Sequence, residues 1–194
     1  DTTLRLSWGR ISQPERPDEL QVTDGEAGFQ AAQTASQTVG AIEHRLSNDV
    51  SLRIEAFDKR ISHVRPGYEN LLDPVTLLPE IEVDRVRIAP LASRAYGAEL
   101  TMRWEPHRTW SAWLSYSWSE VTDRFEDSRA LRTWDQRHSA VTGVSWTRGS
   151  WQVSGNAIWH NGWRQNSLVV EAVPGDDARL VLAPRNSDSW SDYF

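Results

Sequence analysis

Between Trp110 and Glu120 the chain alternates side-chain character with period two, and that restricts what it can fold into more than any other feature. Trp110, Ala112, Leu114, Tyr116 and Trp118 fall on one face of an extended segment, and Ser111, Ser115, Ser117 and Ser119 on the other. Trp113 is the single mismatch. Successive side chains of a strand point to opposite sides of a sheet, so this segment reads as a strand with one apolar and one small polar face. Other stretches repeat the pattern. Leu100, Met102 and Trp104 alternate with Glu99, Thr101 and Arg103. Trp151, Val153, Gly155, Ala157 and Trp159 alternate with Gln152, Ser154, Asn156 and His160. Val50, Leu52, Ile54 and Ala56 alternate with Ser51, Arg53 and Glu55, and Leu4, Leu6 and Trp8 with Arg5, Ser7 and Gly9. Looser versions lie within Thr34–Leu46 and Ser139–Thr147. Seven strands are expected, most of ten residues or more, against about 5–6 in ordinary globular proteins.

The links between these strands are of two kinds. Ser47-Asn48-Asp49, Glu105–Thr109 and Thr147–Ser150 are short and polar, as hairpin turns are. Ile11–Gln33, His63–Ala95, Asp123–His138 and Asn161–Ser189 are long and rich in Pro, Asp, Glu and Arg, with Pro174-Gly175-Asp176-Asp177 as one turn cluster. Short and long links alternate, which puts every short turn on one edge of the sheet. Ile81, Val83, Val86 and Ile88 suggest another strand or a hairpin standing above it.

The tryptophans choose between two ways of using such a sheet. The chain holds 11 Trp beside 4 Tyr and 4 Phe. Trp110 and Trp118 are eight residues apart on one face, as are Trp151 and Trp159. Eight residues rise roughly 26 Å, or about 20 Å for a strand tilted by ~40°, close to the ~25 Å apolar band of an outer-membrane barrel between its aromatic girdles. Trp104 and Trp110 bracket one short turn and Trp146 and Trp151 another, so four indoles would line the short-turn edge. A soluble β-sandwich would also alternate apolar with polar, but it would place its largest side chains in mid-core. The expectation is an all-β chain: an antiparallel, up-and-down transmembrane β-barrel segment of about 7–9 strands, open, with long loops on one edge and short turns on the other.

Composition removes other classes. With no cysteine there is neither a disulfide framework nor a thiolate centre. No apolar run approaches the ~20 residues of a spanning helix. A net charge of −6 argues against a nucleic-acid partner.

Several segments resemble the C-terminal barrel region of TonB-dependent outer-membrane receptors. "LRLSWGRISQPERPDEL" (Leu4–Leu20) is similar to a strand of that family followed by a Pro-containing surface loop. "VGAIEHRLSNDVSLRIEAFDKRI" (Val39–Ile61) resembles a descending strand, tight turn and ascending strand. "SRAYGAELTMRW" (Ser93–Trp104) and "WDQRHSAVTGVSW" (Trp134–Trp146) resemble two further strand entries. The resemblance implies a barrel of about 22 strands around an N-terminal plug, embedded in outer-membrane lipid of a bacterial cell. It also implies energisation by the TonB complex through an N-terminal box, and uptake of a scarce ligand such as a siderophore, cobalamin or glycan. Residues 1–194 are then expected to be a partial barrel domain, without plug or box, and Trp190–Phe194 to begin a further descending strand. The alternatives from other classes are a soluble or secreted carbohydrate-binding module using exposed Trp, and a passive porin.

No catalytic, metal or cofactor constellation is expected. His44, His63, His107, His138 and His160 are widely spaced, and Asp176-Asp177 and Glu126-Asp127 lie in loops. The functional candidates are lumen-facing or at the long-loop end. Arg53, Glu55, Glu99, Arg103, Asn156 and His160 would point into a wet lumen, where they contact a plug, line a ligand route or simply hold water. Trp134, Asp135, His138, Trp163 and Arg164 belong to the loop end, where Trp and Arg suit aromatic or sugar ligands; loop Trp can equally fold the loop onto itself.

Overall fold

The computed structural model describes residues 1–73, 76–107, 109–171 and 178–194. In chain order the strands are β1 (Thr2–Gln13), β2 (Gln33–Arg45), β3 (Val50–Ser62), β4 (Gly67–Asn70), β5 (Arg85–Ile88), β6 (Ala92–His107) and β7 (Trp110–Arg124). They continue with β8 (Arg129–Leu131), β9 (His138–Arg148), β10 (Trp151–His160), β11 (Arg164–Gln165), β12 (Leu168–Glu171), β13 (Arg179–Leu182) and β14 (Asp188–Ser189). The seven expected long strands form one antiparallel meander, β1-β2-β3-β6-β7-β9-β10, with β8 added beside the far end of β7. The sheet does not close: among the described residues β1 has no second neighbour, and the free edge of β10 carries one antiparallel bridge, His160 to Tyr193. That bridge puts residues 193–194 where a further strand would run.

Short and long links fall on opposite edges, as the sequence predicts. At the β9–β10 turn the chain reverses in two residues, and Gly149 takes a φ of 60°, which side chains disfavour. The long links carry two-stranded ribbons. β4 pairs with β5, confirming a hairpin in the second link, although Ile81 lies in a 3-10 turn and Val83 is fully exposed before it. The ribbons β12–β13 and β11–β14 occupy the last link and have no clear alternating signature in the sequence. The Asp176-Asp177 turn lies outside the described residues.

Pairing register aligns the alternating patterns into two continuous faces. One row reads Leu4–Ile42–Ile54–Leu100–Tyr116–Ala140–Trp159 across all seven strands. The row next to it, one residue along each strand, emerges on the other face as Arg5–Ala41–Glu55–Glu99–Ser117–Ser139–His160. A slip of one residue at any pairing would mix the two faces, so the register is strongly specified.

No described element of the chain covers the apolar face. Leu6 is 81% exposed, Val153 58% and Leu114 37%, and Leu52 is half-buried by its own sheet neighbours. Among the described residues the buried apolar side chains are few, Ala35, Ile61, Pro90 and Ala183. A β-sandwich would bury the middle of this face beneath a second sheet, so the sandwich reading fails.

Trp113, the mismatch in β7, stands on the polar face. Its indole lies across Gly143 of β9, where a Cβ would come within 2.6 Å of the indole nitrogen. The large ring is accommodated because its cross-strand neighbour has no side chain.

Candidate functional site

The aromatic rings of the apolar face fall on two lines. On three strands the rings are eight residues apart: Tyr96 and Trp104 on β6, Trp110 and Trp118 on β7, Trp151 and Trp159 on β10. Tyr96 is a member that the sequence pattern, followed only from Glu99 to Trp104, does not reach. The lines are oblique to the strands. Trp118 is two residues down β7 from the partner of Tyr96, and Trp159 pairs through Ala140 with Tyr116, two further down. Trp104, the Trp110/Trp146 pair and Trp151 show the same offset at the other end. Four residues over three strand steps, at ~3.3 Å per residue and ~4.8 Å per step, give a tilt of roughly 40°. Closed barrels tilt their strands by about 35–45°. The rings also touch: Trp110 and Trp146 are 6.4 Å apart, and Tyr96 meets Trp118 edge-on at 5.8 Å.

The polar face carries the first group of candidates. Arg53, Glu55, Glu99 and Arg103 border a cleft of about 360 Å³ together with Glu43. Glu55 and Glu99 are direct cross-strand partners, a repulsive placement relieved by an ion pair between Arg53 and Glu55. Glu99 and Arg103 have no ion-pair partner among the described residues. Asn156 stands on the same face of β10.

A second group gathers at the long-loop edge. Trp134 and Trp163 meet edge-on at 4.9 Å, and Trp190 closes the cluster at 6.5 and 6.3 Å from them. His160 stacks on Trp163 at 5.6 Å and on Tyr193 at 5.0 Å. Trp134 is held in the left-handed region, φ 69°, at a turn closed by the Asp135 N–H donating to the Arg132 carbonyl. Asp135 is buried; one carboxylate oxygen accepts the Val121 N–H at 2.7 Å and the other has no hydrogen-bond partner. Burial pushes this carboxyl above its ordinary range, partly opposed by that N–H and by the charges of Arg137 and Arg164. The structure thus unites Trp134, Asp135, His160, Trp163 and Arg164, and keeps them apart from the Arg53 group. Trp190 and Tyr193, which the sequence reading did not single out, complete the cluster.

His138, expected at the loop end, opens β9 where the chain leaves that loop, and it stands on the apolar face. In register it pairs with Trp118 on the apolar face, stacks on Tyr116 at 6.1 Å and shares a 2.7 Å hydrogen bond with its hydroxyl. The reason is parity: His138 and Ala140 are both even positions of β9. Glu126 and Asp127 form the exposed tip of the β7–β8 turn and converge on nothing.

Polar contacts tie the long loops into one layer. Arg85 grips Asp24 with two hydrogen bonds of 2.5 Å, which hold the Asp24 carboxyl below its ordinary range. Arg65 donates to Glu19 and to the carbonyls of Gln13 and Pro14. Glu69 accepts from Thr133 and from Arg185. Asn186, only 1% exposed, donates its side-chain amide to the Leu131 carbonyl and Thr133 hydroxyl and its backbone N–H to the Asn166 side-chain oxygen.

Comparison with known proteins adds the fold at large. No protein-family model and no curated protein sequence matches the chain. Two solved structures are similar over 99% of it at a TM-score of 0.57. One is the ferripyoverdine receptor of the outer membrane of Pseudomonas aeruginosa bound to ferripyoverdine, 15% identical; the other is FpvA of P. aeruginosa bound to heterologous pyoverdines, 14% identical. The chain spans 24% of each of those chains. At that identity the likeness concerns the fold: the open antiparallel sheet matches a stretch of these receptors' β-structure.

Proposed function

We propose that this chain is part of the wall of an outer-membrane receptor that takes up a scarce ligand, with the apolar face turned to lipid and the polar face to a lumen. The observation that carries the reading is the pair of oblique aromatic lines. Eight residues between rings on three strands, at the tilt the register gives, span about 20 Å of apolar surface, and interfacial rings belong at its two borders. An uncovered face of this size has no place in water. The similarity to the ferripyoverdine receptor supports a barrel that admits a ligand, with a plug and the TonB complex as partners of the whole protein and the outer membrane as its location. Under this reading Glu99, Arg103 and the Arg53–Glu55 pair face the plug or the ligand route, and the Trp134–Trp163–Trp190 cluster stands at the ligand's entrance.

Expression of the full-length protein in a Gram-negative host tests this. It should fractionate with the outer membrane, migrate heat-dependently on gels, and support uptake only when TonB is present. A protein recovered in the soluble fraction, melting cooperatively without detergent, would overturn the reading. A carbohydrate-binding module finds less support, because Trp134 and Trp163 spend contact surface on each other.

A further inference from the structure

The polar face of the sheet is divided along the seam between β6 and β7. On one side it is ionic: Arg5 pairs with Glu43 and Arg53 with Glu55, and Glu99 and Arg103 follow on β6. On the other side the same face runs from Ser111 to Ser119 on β7, from Ser139 to Thr147 on β9 and from Gln152 to Ile158 on β10 without one charged side chain. The change takes a single strand step, since Glu99 stands opposite Ser117 and Thr101 opposite Ser115. In the middle of the uncharged half lies Trp113, 42% exposed, its indole set across Gly143 with Asn156 next along the row. Ser111, Ser145 and Ser154 form the row below it, toward the short turns.

The two halves hold a partner with different strength. A hydrogen bond to a charged group contributes about 1.5–3 kcal/mol and one between neutral groups about 0.5–1.5, so carboxylates and guanidinium groups suit a partner that stays and hydroxyls one that leaves. A conduction path needs contacts that admit a solute yet release it, spread over many weak sites. Serine side chains also stop short of the space that Arg and Glu reach into. Trp113 adds one flat apolar surface, which takes the face of a ring while the hydroxyls and the Asn156 amide meet its edge. We infer that the solute this receptor admits passes along the uncharged β7–β10 half of the wall and stacks a neutral ring on Trp113, leaving the ionic half to the plug. The inference rests on the receptor reading above, in which the polar face lines a lumen.

The test places single thiols in the full-length protein, with any other cysteine replaced by serine, in the outer membrane of an energised Gram-negative host. Ser115→Cys and Ser145→Cys probe the uncharged half, and Thr101→Cys, at the cross-strand partner of position 115, probes the ionic half at the same depth. The reagents are uncharged maleimides carrying a glucose ring, a phenyl ring or an open-chain polyol. Positions 115 and 145 should label faster than position 101 by roughly tenfold or more. Position 115 lies two residues, about 7 Å, from Trp113. There the ring-bearing reagents should outpace the polyol by about threefold, an advantage lost in Trp113→Ala and kept in Trp113→Phe, and the faster of the two identifies the kind of ring. Equal labelling on the two halves, faster labelling at position 101, no labelling at 115 and 145, or a ring advantage untouched by Trp113→Ala would each overturn the inference. Leu114→Cys, on the opposite face, separates the two readings. Were the glucose reagent to reach it as fast as position 115, the apolar face would not meet lipid, and the receptor reading itself would fail.

Discussion

Asp135 and Asp24 are two loop carboxylates whose surroundings push them in opposite directions, so they respond oppositely to pH. Arg85 favours ionised Asp24, so that link's stabilisation is present above the ordinary carboxylate value of 3.8 and fades as pH falls through the lower folded value. Burial favours neutral Asp135, so its stabilisation is present below 3.8 and is lost as pH rises through the higher folded value. Ionisation of Asp135 therefore weakens the turn that it caps. Asp135→Asn keeps an acceptor for the Val121 N–H and removes the charge. The Val121 amide should then exchange more slowly in the variant than in the wild type at pH 7, with the difference closing in acid. Faster exchange in the variant at pH 7 would mean that the Arg164 and Arg137 charges outweigh burial.

At the level of elements, the long strands and the loops above them are stabilised by different physics. The strands hold register through ladder hydrogen bonds and a two-face pattern, whereas the loops have almost no apolar core and depend on polar contacts such as those of Asn186. Its amide bridges the segment after β8 to the last link, in a residue that itself sits at φ 54°. Asn186→Ala leaves the half-buried Leu131 carbonyl without its amide donor and takes one of several partners from the Thr133 hydroxyl, a loss of about 1–3 kcal/mol. Because that loss is confined to the loop layer, hydrogen exchange should accelerate in residues 129–137 and 163–190 while β6 and β7 stay protected. Uniform acceleration through the sheet would show that loops and wall unfold together.

For the molecule as a whole, everything turns on which face meets which medium. Leu114 lies midway between Trp110 and Trp118 on the apolar face, and Ser115 beside it faces the other way. If the apolar face meets lipid, Leu114→Arg in the full-length protein should cost about 2–4 kcal/mol in refolding into vesicles, and Ser115→Arg close to nothing. Similar costs at the two positions would rule the assignment out. The two faces, the seven long strands, the sidedness of the links and most of the girdle were legible in the chain itself, because strand geometry converts spacing directly into side. The loop ribbons were not, since short strands held by polar contacts leave no periodic signal. The Trp134–Trp163–Trp190 cluster and the loop locks also escaped: their members lie tens of residues apart, and no local rule brings Glu69 beside Arg185. Local alternation is a one-residue property and can be read along the chain; convergence of distant side chains depends on register, tilt and loop closure, which exist only once the strands have paired.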